Sequence, residues 1–302
     1  MEIKRPTTIE EQIKILGGRK LVIEDVEFAQ NVLLSVNYYN FTGYLHTYKN
    51  ADDNYENISF NQAYRIYLCD RRIRSTILYA IESIEHNLKT KIAYVIAMNT
   101  CATSYLNKDI FVDEEEHQKL LQKFGQAINR NSKIPFVKHH IKKYDRRFPI
   151  WVAIEIFTLG MVWNCYKNLK TPLKKKIASK FNIGSVYLES WIECISYLRN
   201  VCAHYMRLYR FKVQKTPKKS KKHSMNNISH CIYDIINVMR FLMPSKDEWN
   251  NYIISNIAQI FEEYKDVVSP EDYGFPKDWE KNFNIIILKL STSYGVLFSY
   301  PK

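Results

Sequence analysis

Arg199, Asn200 and His204 bring a cation, an amide and an imidazole into one short stretch, Leu198-Arg199-Asn200-Val201-Cys202-Ala203-His204-Tyr205. If the stretch is helical, Asn200 and His204 are four apart and share a face. The long Arg199 side chain then lies on the flank and reaches toward either side. The set suits a phosphodiester. Guanidinium holds phosphate through two hydrogen bonds, and histidine titrates near neutral pH and serves as general acid or base. One copy supplies one histidine, whereas cleavage by a neighbouring 2'-hydroxyl uses both a base and an acid. Two copies meeting across a helix-pair interface would complete the set. The plain alternative is a solvated helix face, because an arginine and a histidine at this spacing also occur with no role.

These residues need a helix to position them, and the sequence predicts one over 185–209. Leu188, Trp191, Ile195, Leu198, Cys202, Tyr205 and Tyr209 form an apolar stripe, with Glu189, Glu193, Asn200 and His204 opposite. A second helix is predicted over 59–98. Ser59 and Gln62 form a capping box, and no glycine or proline follows up to Met98. Ile66, Ile73, Ile77, Ile81, Ile84, Leu88, Ile92 and Val95 recur at helical spacings. At 1.5 Å per residue this helix spans about 55–60 Å, long enough to pair antiparallel with the first. Glu82, Glu85 and His86 could support a site on a facing helix. The plainer reading pairs Glu85 with Lys89, and no further ligand pattern makes a metal site.

Composition narrows the function class. The chain has 302 residues, 46% hydrophobic, enough for one large or two modest domains and too apolar for wholesale disorder. With 44 Lys and Arg against 31 acids, the net charge is +13, which points to a polyanionic partner, RNA or DNA before membrane. The rival is a merely basic soluble protein. The six cysteines form no CxxC and read as buried free thiols of a reducing cytosol. Residues 1–6 are charged and lack the apolar core of a signal peptide. No run approaches the ~20 apolar residues of a membrane helix, so the expected location is the cytoplasm, with no membrane partner.

Along the rest of the chain, Thr8 and Glu11 fit a capping box for a helix to about Leu16, ended by Gly17-Gly18. The aromatic segment 37–45 either packs a small lobe or stacks bases. A helix with an acidic first turn is predicted over 113–130. Residues 133–147 crowd Lys138, His139, Lys142, Lys143, Arg146 and Arg147 around Phe136 and Tyr144, a pattern that suits a nucleic-acid backbone or a solvated basic loop. An apolar helix is predicted from Pro149 to about Leu169, then one with Thr171 as N-cap and Pro172 at its first position. Arg207 and Arg210 could hold phosphates or be surface cations at a helix C-terminus. Segment 215–223 carries Lys218, Lys219, Lys221 and Lys222 and no acid, and reads as a flexible basic linker or an RNA-touching loop. Helices are predicted over 224–242 and 247–264, with a last element over 279–290. The fold class is all-α: a bundle around a long antiparallel helix pair, with smaller N-terminal and C-terminal helical additions. The expected division is an N-terminal segment 1–50, a core 51–214, a basic linker 215–223 and a C-terminal segment 224–302. No phosphate loop, GxSxG or internal repeat is present, and no cofactor or metal is expected.

The sequence resembles the Abi-like family of bacterial abortive-infection proteins, of the AbiD/AbiF type. The resemblance is carried by residues 8–16, Asn37-Tyr38-Tyr39 with Gly43-Tyr44-Leu45, Asp70-Arg71 with Ile84-Glu85, Pro149-Ile150-Trp151-Val152 with Glu155, and Leu198-Arg199-Asn200-Val201-Cys202-Ala203-His204. It implies the HEPN superfamily, helical domains whose RxxxxH motif often marks metal-independent ribonucleases, with one composite site built by two domains. On that resemblance Arg199 and His204 are catalytic, and Asn200 orders the site. Cleavage leaves a 2',3'-cyclic phosphate and a 5'-hydroxyl. With one RxxxxH per chain, a homodimer is implied. The resemblance also implies a toxin–antitoxin-like arrangement in which a non-coding RNA restrains the protein. The alternative is a non-catalytic module that sequesters RNA or a partner.

Overall fold

Hydrophobic spacing of three and four repeats along most of this chain, and the fold follows it. The computed structural model describes residues 5–223 and 229–283. Among them every regular element is helical, and strand-like pairing is limited to three isolated bridges. The chain opens with α1 (Ile9–Gly18), α2 (Val26–Ser35) and α3 (Tyr38–Leu45), then α4 (Phe60–Asn99). It continues through α5 (Glu114–Arg130), α6 (Pro135–Lys143), α7 (Ile150–Ala153), α8 (Leu159–Asn168), α9 (Thr171–Ser179) and α10 (Ser185–Ala203). The described chain closes with α11 (Ile232–Met239), α12 (Lys246–Glu248), α13 (Ser255–Glu263) and α14 (Trp279–Asn282). A π-helical stretch, Trp249–Ile254, joins α12 to α13. No helix of the described residues is long and apolar enough to cross a membrane.

The 40-residue α4 is the spine, about 60 Å long at 1.5 Å per residue. Ser59 and Gln62 form its capping box, and the isoleucines that predict it are all buried. Lys91, toward its C-terminal end, lies 4.0 Å over the Phe181 ring just before α10. At the other end, Asp70 accepts the N–H of Leu208, just past α10, at 2.9 Å. α10 therefore runs antiparallel to α4.

Several boundaries differ from expectation. The helix predicted to reach Tyr209 stops at Ala203, with His204 as its cap. The apolar helix from Pro149 breaks at Phe157, and Thr158 then caps α8 by accepting the N–H of Met161 at 3.3 Å. Lys170, not Thr171, is the N-cap of α9. α1 continues through both glycines to Gly18. The 37–45 segment is helix α3, with Phe41, Tyr44 and Leu45 buried, so its rings mostly pack. The basic stretch around Lys138 is helix α6, not a loop. The predictions over 224–242 and 279–290 lie partly outside the described residues.

Segment 215–223, read from composition as flexible, lies against α10. Trp191 is fully buried and donates its indole N–H to the carbonyl of Lys218 at 3.0 Å, and the Lys218 N–H donates to Ser190 Oγ at 3.0 Å. Ser220 is buried, and His223 packs edge-on to Trp191 and Phe241. The lysine side chains stay in solvent while the backbone satisfies a buried indole.

Burial, and then the nearby Lys222 and Arg240 charges, hold the His223 imidazole below its ordinary pKa. A histidine whose folded pKa is depressed stabilises the fold above its unfolded pKa and loses that contribution as pH falls. Acidification below about pH 6.5 therefore lowers the urea midpoint of the wild type, and His223→Gln makes that decline shallower. Parallel pH profiles for the two proteins would assign the titration to another group.

Candidate functional site

The last turns of α10 sort their side chains by the 100° step of the helix. Leu198, Val201 and Cys202 are buried against the bundle, and Arg199, Asn200 and His204 are exposed. Arg199 donates from Nη1 to Asn200 Oδ1 at 3.3 Å. The polar set predicted from sequence is thus brought together on one helix end. His204 caps it, its N–H bonded to Asn200 O at 3.0 Å.

The chain reverses immediately afterwards. Tyr205 adopts a left-handed conformation with φ 57°. Its N–H donates to Cys202 O at 3.2 Å, and that of Met206 donates to Val201 O at 3.0 Å. This pair of bonds is a Schellman motif, with tyrosine where glycine is usual. Tyr205 is left 74% exposed and Met206 47% exposed, beside the Arg199–His204 face. Tyr209, predicted on the same apolar stripe, is instead buried beyond the helix.

A buried ionic cluster fixes this reversal. Asp70 Oδ2 accepts from the Tyr44 hydroxyl at 2.7 Å, from the Leu208 N–H at 2.9 Å, and from Arg74. Arg74 also donates to the Tyr44 hydroxyl at 3.1 Å and to the carbonyl of Met206 at 3.4 Å. Arg207 donates to the carbonyl of Gly43. Residues 206–208 are thereby held by α3 and α4 together. Burial pushes the Asp70 carboxyl above the usual carboxylate range, opposed by Arg74, the Leu208 amide and the Tyr44 hydroxyl. Burial works against the Arg74 charge, but Asp70 and Tyr44 outweigh it and keep the guanidinium protonated. Burial likewise lifts the Cys202 thiol to about 12, so it stays protonated below the polar face. Sequence reading passed over Asp70 and Arg74 as a pair. Their signal was a charged i,i+4 couple set among Ile66, Ile73 and Ile77.

The other candidates are dispersed. Lys138, His139, Lys142, Lys143, Arg146 and Arg147 are exposed on and just after α6, whose Val137 is buried. His140 stacks on Phe148 at 5.2 Å, and Arg146 donates to Asn129 Oδ1 at 2.7 Å, which fastens this face to α5. Arg207 is half-buried on Gly43. Arg210 pairs with Asp272 at 2.7 Å and lies over the Tyr48 and Tyr209 rings. Lys218, Lys219, Lys221 and Lys222 are exposed beside the N-terminal half of α10. Ser190, which Lys218 touches, lies about 21 Å along the helix from His204. His86 and Glu82 line a shallow groove with Tyr79, Asn87 and Pro244, and Glu85 pairs with Lys89 at 2.8 Å. Among the described residues no group of three or more potential ligands could hold a metal ion.

A family model described as Abi-like protein matches residues 31–210, a span that contains the whole Asp70 cluster and the α10 end. No curated protein and no solved structure matches the chain.

The two layers of the site separate by mutation. Arg199→Ala, Asn200→Ala and His204→Ala leave the urea midpoint at the wild-type value, because their side chains are exposed. Asp70→Ala or Arg74→Ala leaves a buried charge unpaired and destabilises by about 3–5 kcal/mol. A large loss from His204→Ala, or none from Asp70→Ala, would contradict this division.

Proposed function

The chain belongs to the Abi-like protein family, and from that membership we propose that it is a metal-independent endoribonuclease toxin of an abortive-infection system. In this reading it acts in the cytoplasm against phage and is restrained by a non-coding RNA. The site is of the HEPN type and forms where the α10 ends of two copies meet. The observation that carries the reading is the exposure of Arg199, Asn200 and His204 together on a helix end whose backbone the interior holds fixed. The exposed Tyr205 and Met206 beside them supply apolar surface for the second copy to cover.

The chemistry follows from the side chains. One His204 removes the proton from a ribose 2'-hydroxyl, whose oxygen attacks the adjacent phosphorus. The P–O2' bond forms as the P–O5' bond breaks. The His204 of the second copy donates a proton to the leaving 5'-oxygen. The products are a 2',3'-cyclic phosphate and a 5'-hydroxyl. The two Arg199 guanidiniums neutralise charge that builds on the phosphoryl oxygens, and Asn200, bonded to Arg199, sets its direction.

The exposed basic face of α6 favours a second reading, a non-catalytic module that sequesters RNA. The two are separated by incubating nucleic-acid-free wild type, Arg199→Ala and His204→Ala with RNA in EDTA. The nuclease reading predicts that wild type cuts and leaves cyclic-phosphate ends, and that each variant is slower by about 10²–10⁴-fold. Equal cutting by wild type and His204→Ala would overturn it. RNA retention without cutting, insensitive to His204→Ala, would favour the binding module.

A further inference from the structure

Three stretches far apart in sequence carry lysines and no acid: residues 86–99 at the C-terminal end of α4, residues 170–184 around α9, and residues 216–223. The fold joins them into one surface. Lys176 donates to Asn99 Oδ1, and Lys180 lies 5.6 Å over the Tyr94 ring. Lys91 lies 4.0 Å over Phe181, and Lys222 donates to the carbonyl of Asn182 at 3.2 Å. Carboxylates reach only its margins, where Glu85 pairs with Lys89 and Glu189 with Lys174. Among the described residues Lys91, Lys175, Lys176, Lys180, Lys218 and Lys219 make no ion pair. Burial first, and then the charge of Lys180, hold the Lys91 ammonium below its ordinary pKa.

A groove of about 730 Å³ runs through this surface between α9, the first turn of α10 and residues 218–219. Lys175 of α9, Lys218 and Lys219 of the adjoining segment, and Tyr187 of α10 all line it. Lysines from two separate segments lining one groove suit an anionic backbone lying along it. A half-buried aromatic ring in the wall suits a stacked base, which an acidic peptide lacks. The groove opens at Ser185, nineteen helix positions before His204 and about 28 Å away along α10.

We propose that this groove is a second RNA site, which holds single-stranded RNA through its phosphates and one stacked base at the end of α10 opposite Arg199 and His204. It rests on the RNA reading above and adds an anchor to it: RNA is held at one end of α10 and cut at the other. Lys175 and Tyr187, which sequence reading left unassigned, are its defining residues.

The test is binding of a fluorescent 2'-O-methyl oligouridine, which lacks the attacking hydroxyl, by the full chain over a salt series. Wild type is compared with Lys175→Glu/Lys218→Glu/Lys219→Glu, with Tyr187→Ala, and with a charge-matched control, Lys14→Glu/Lys123→Glu/Lys277→Glu, whose lysines are exposed elsewhere. The groove triple variant is expected to lower the slope of log affinity against log salt by about 2, at ~0.7 per phosphate contact. Tyr187→Ala is expected to weaken binding about tenfold with the slope unchanged, and the control to keep the wild-type slope. If wild type binds but the groove triple matches it, or the control loses as much slope, the groove is overturned and the RNA reading stands. If wild type binds no oligouridine, both fall. If the groove variants lose binding to phosphatidylserine vesicles and keep oligouridine binding, the surface belongs to a membrane and the proposal is overturned.

Discussion

A carboxylate and a guanidinium buried side by side hold this molecule's polar helix end in place. Placing Asp70 and Arg74 in the interior costs several kcal/mol per ion in desolvation, which their attraction offsets only when the remaining valences are used. Here they are used on backbone. Asp70 takes the Leu208 amide, and Arg74 gives to the Met206 carbonyl. A pair of apolar residues could fill the same space, but it could not hold the N–H and C=O groups of a chain reversing out of a helix. Tyr44 bonds to both ions, so α3 is committed to the same arrangement. The left-handed Tyr205 is tolerated because its neighbours on the C-terminal side are fixed in this way.

That constraint explains why Arg199, Asn200 and His204 can be exposed and yet ordered. Their own side-chain bonds are few, with one contact between Arg199 and Asn200. Their directions come from the backbone of α10, which is set from behind by Asp70 and along its length by packing on α4. A reactive set built on a rigid helix end is more closely directed than one on a loop. The far end of α10 is differently equipped, with lysines on three acid-free segments and a groove between them. The helix thus carries an exposed Arg–Asn–His set at one end and an acid-free basic groove at the other.

The sequence made the polar face legible, because the 100° step alone places Asn200 and His204 opposite the core. It misplaced the end of the helix. Tyr205 and Tyr209 continue the apolar spacing, and periodicity does not register a Schellman turn that lacks glycine. The contacts of 215–223 were not legible, because composition weighs side chains, whereas that segment meets α10 through the backbone of Lys218 at Trp191 and Ser190. The Asp70–Arg74 pair was hidden for the opposite reason. Two charges four apart resemble a solvated surface pair, and only the isoleucines around them mark the stripe as internal. The acid-free surface needed the fold, since its lysines converge only when α9 packs on α4.

The central claim is that the α10 ends of two copies face each other. Tyr205→Cys in a Cys101→Ser background, which removes the exposed native thiol, tests it by mild oxidation of dilute protein. A disulfide-linked dimer should form rapidly and nearly completely, while the same background with Lys138→Cys stays monomeric. If both cysteines cross-link at the same slow rate, or neither does, the two helix ends do not meet and His204 has no second histidine to work with.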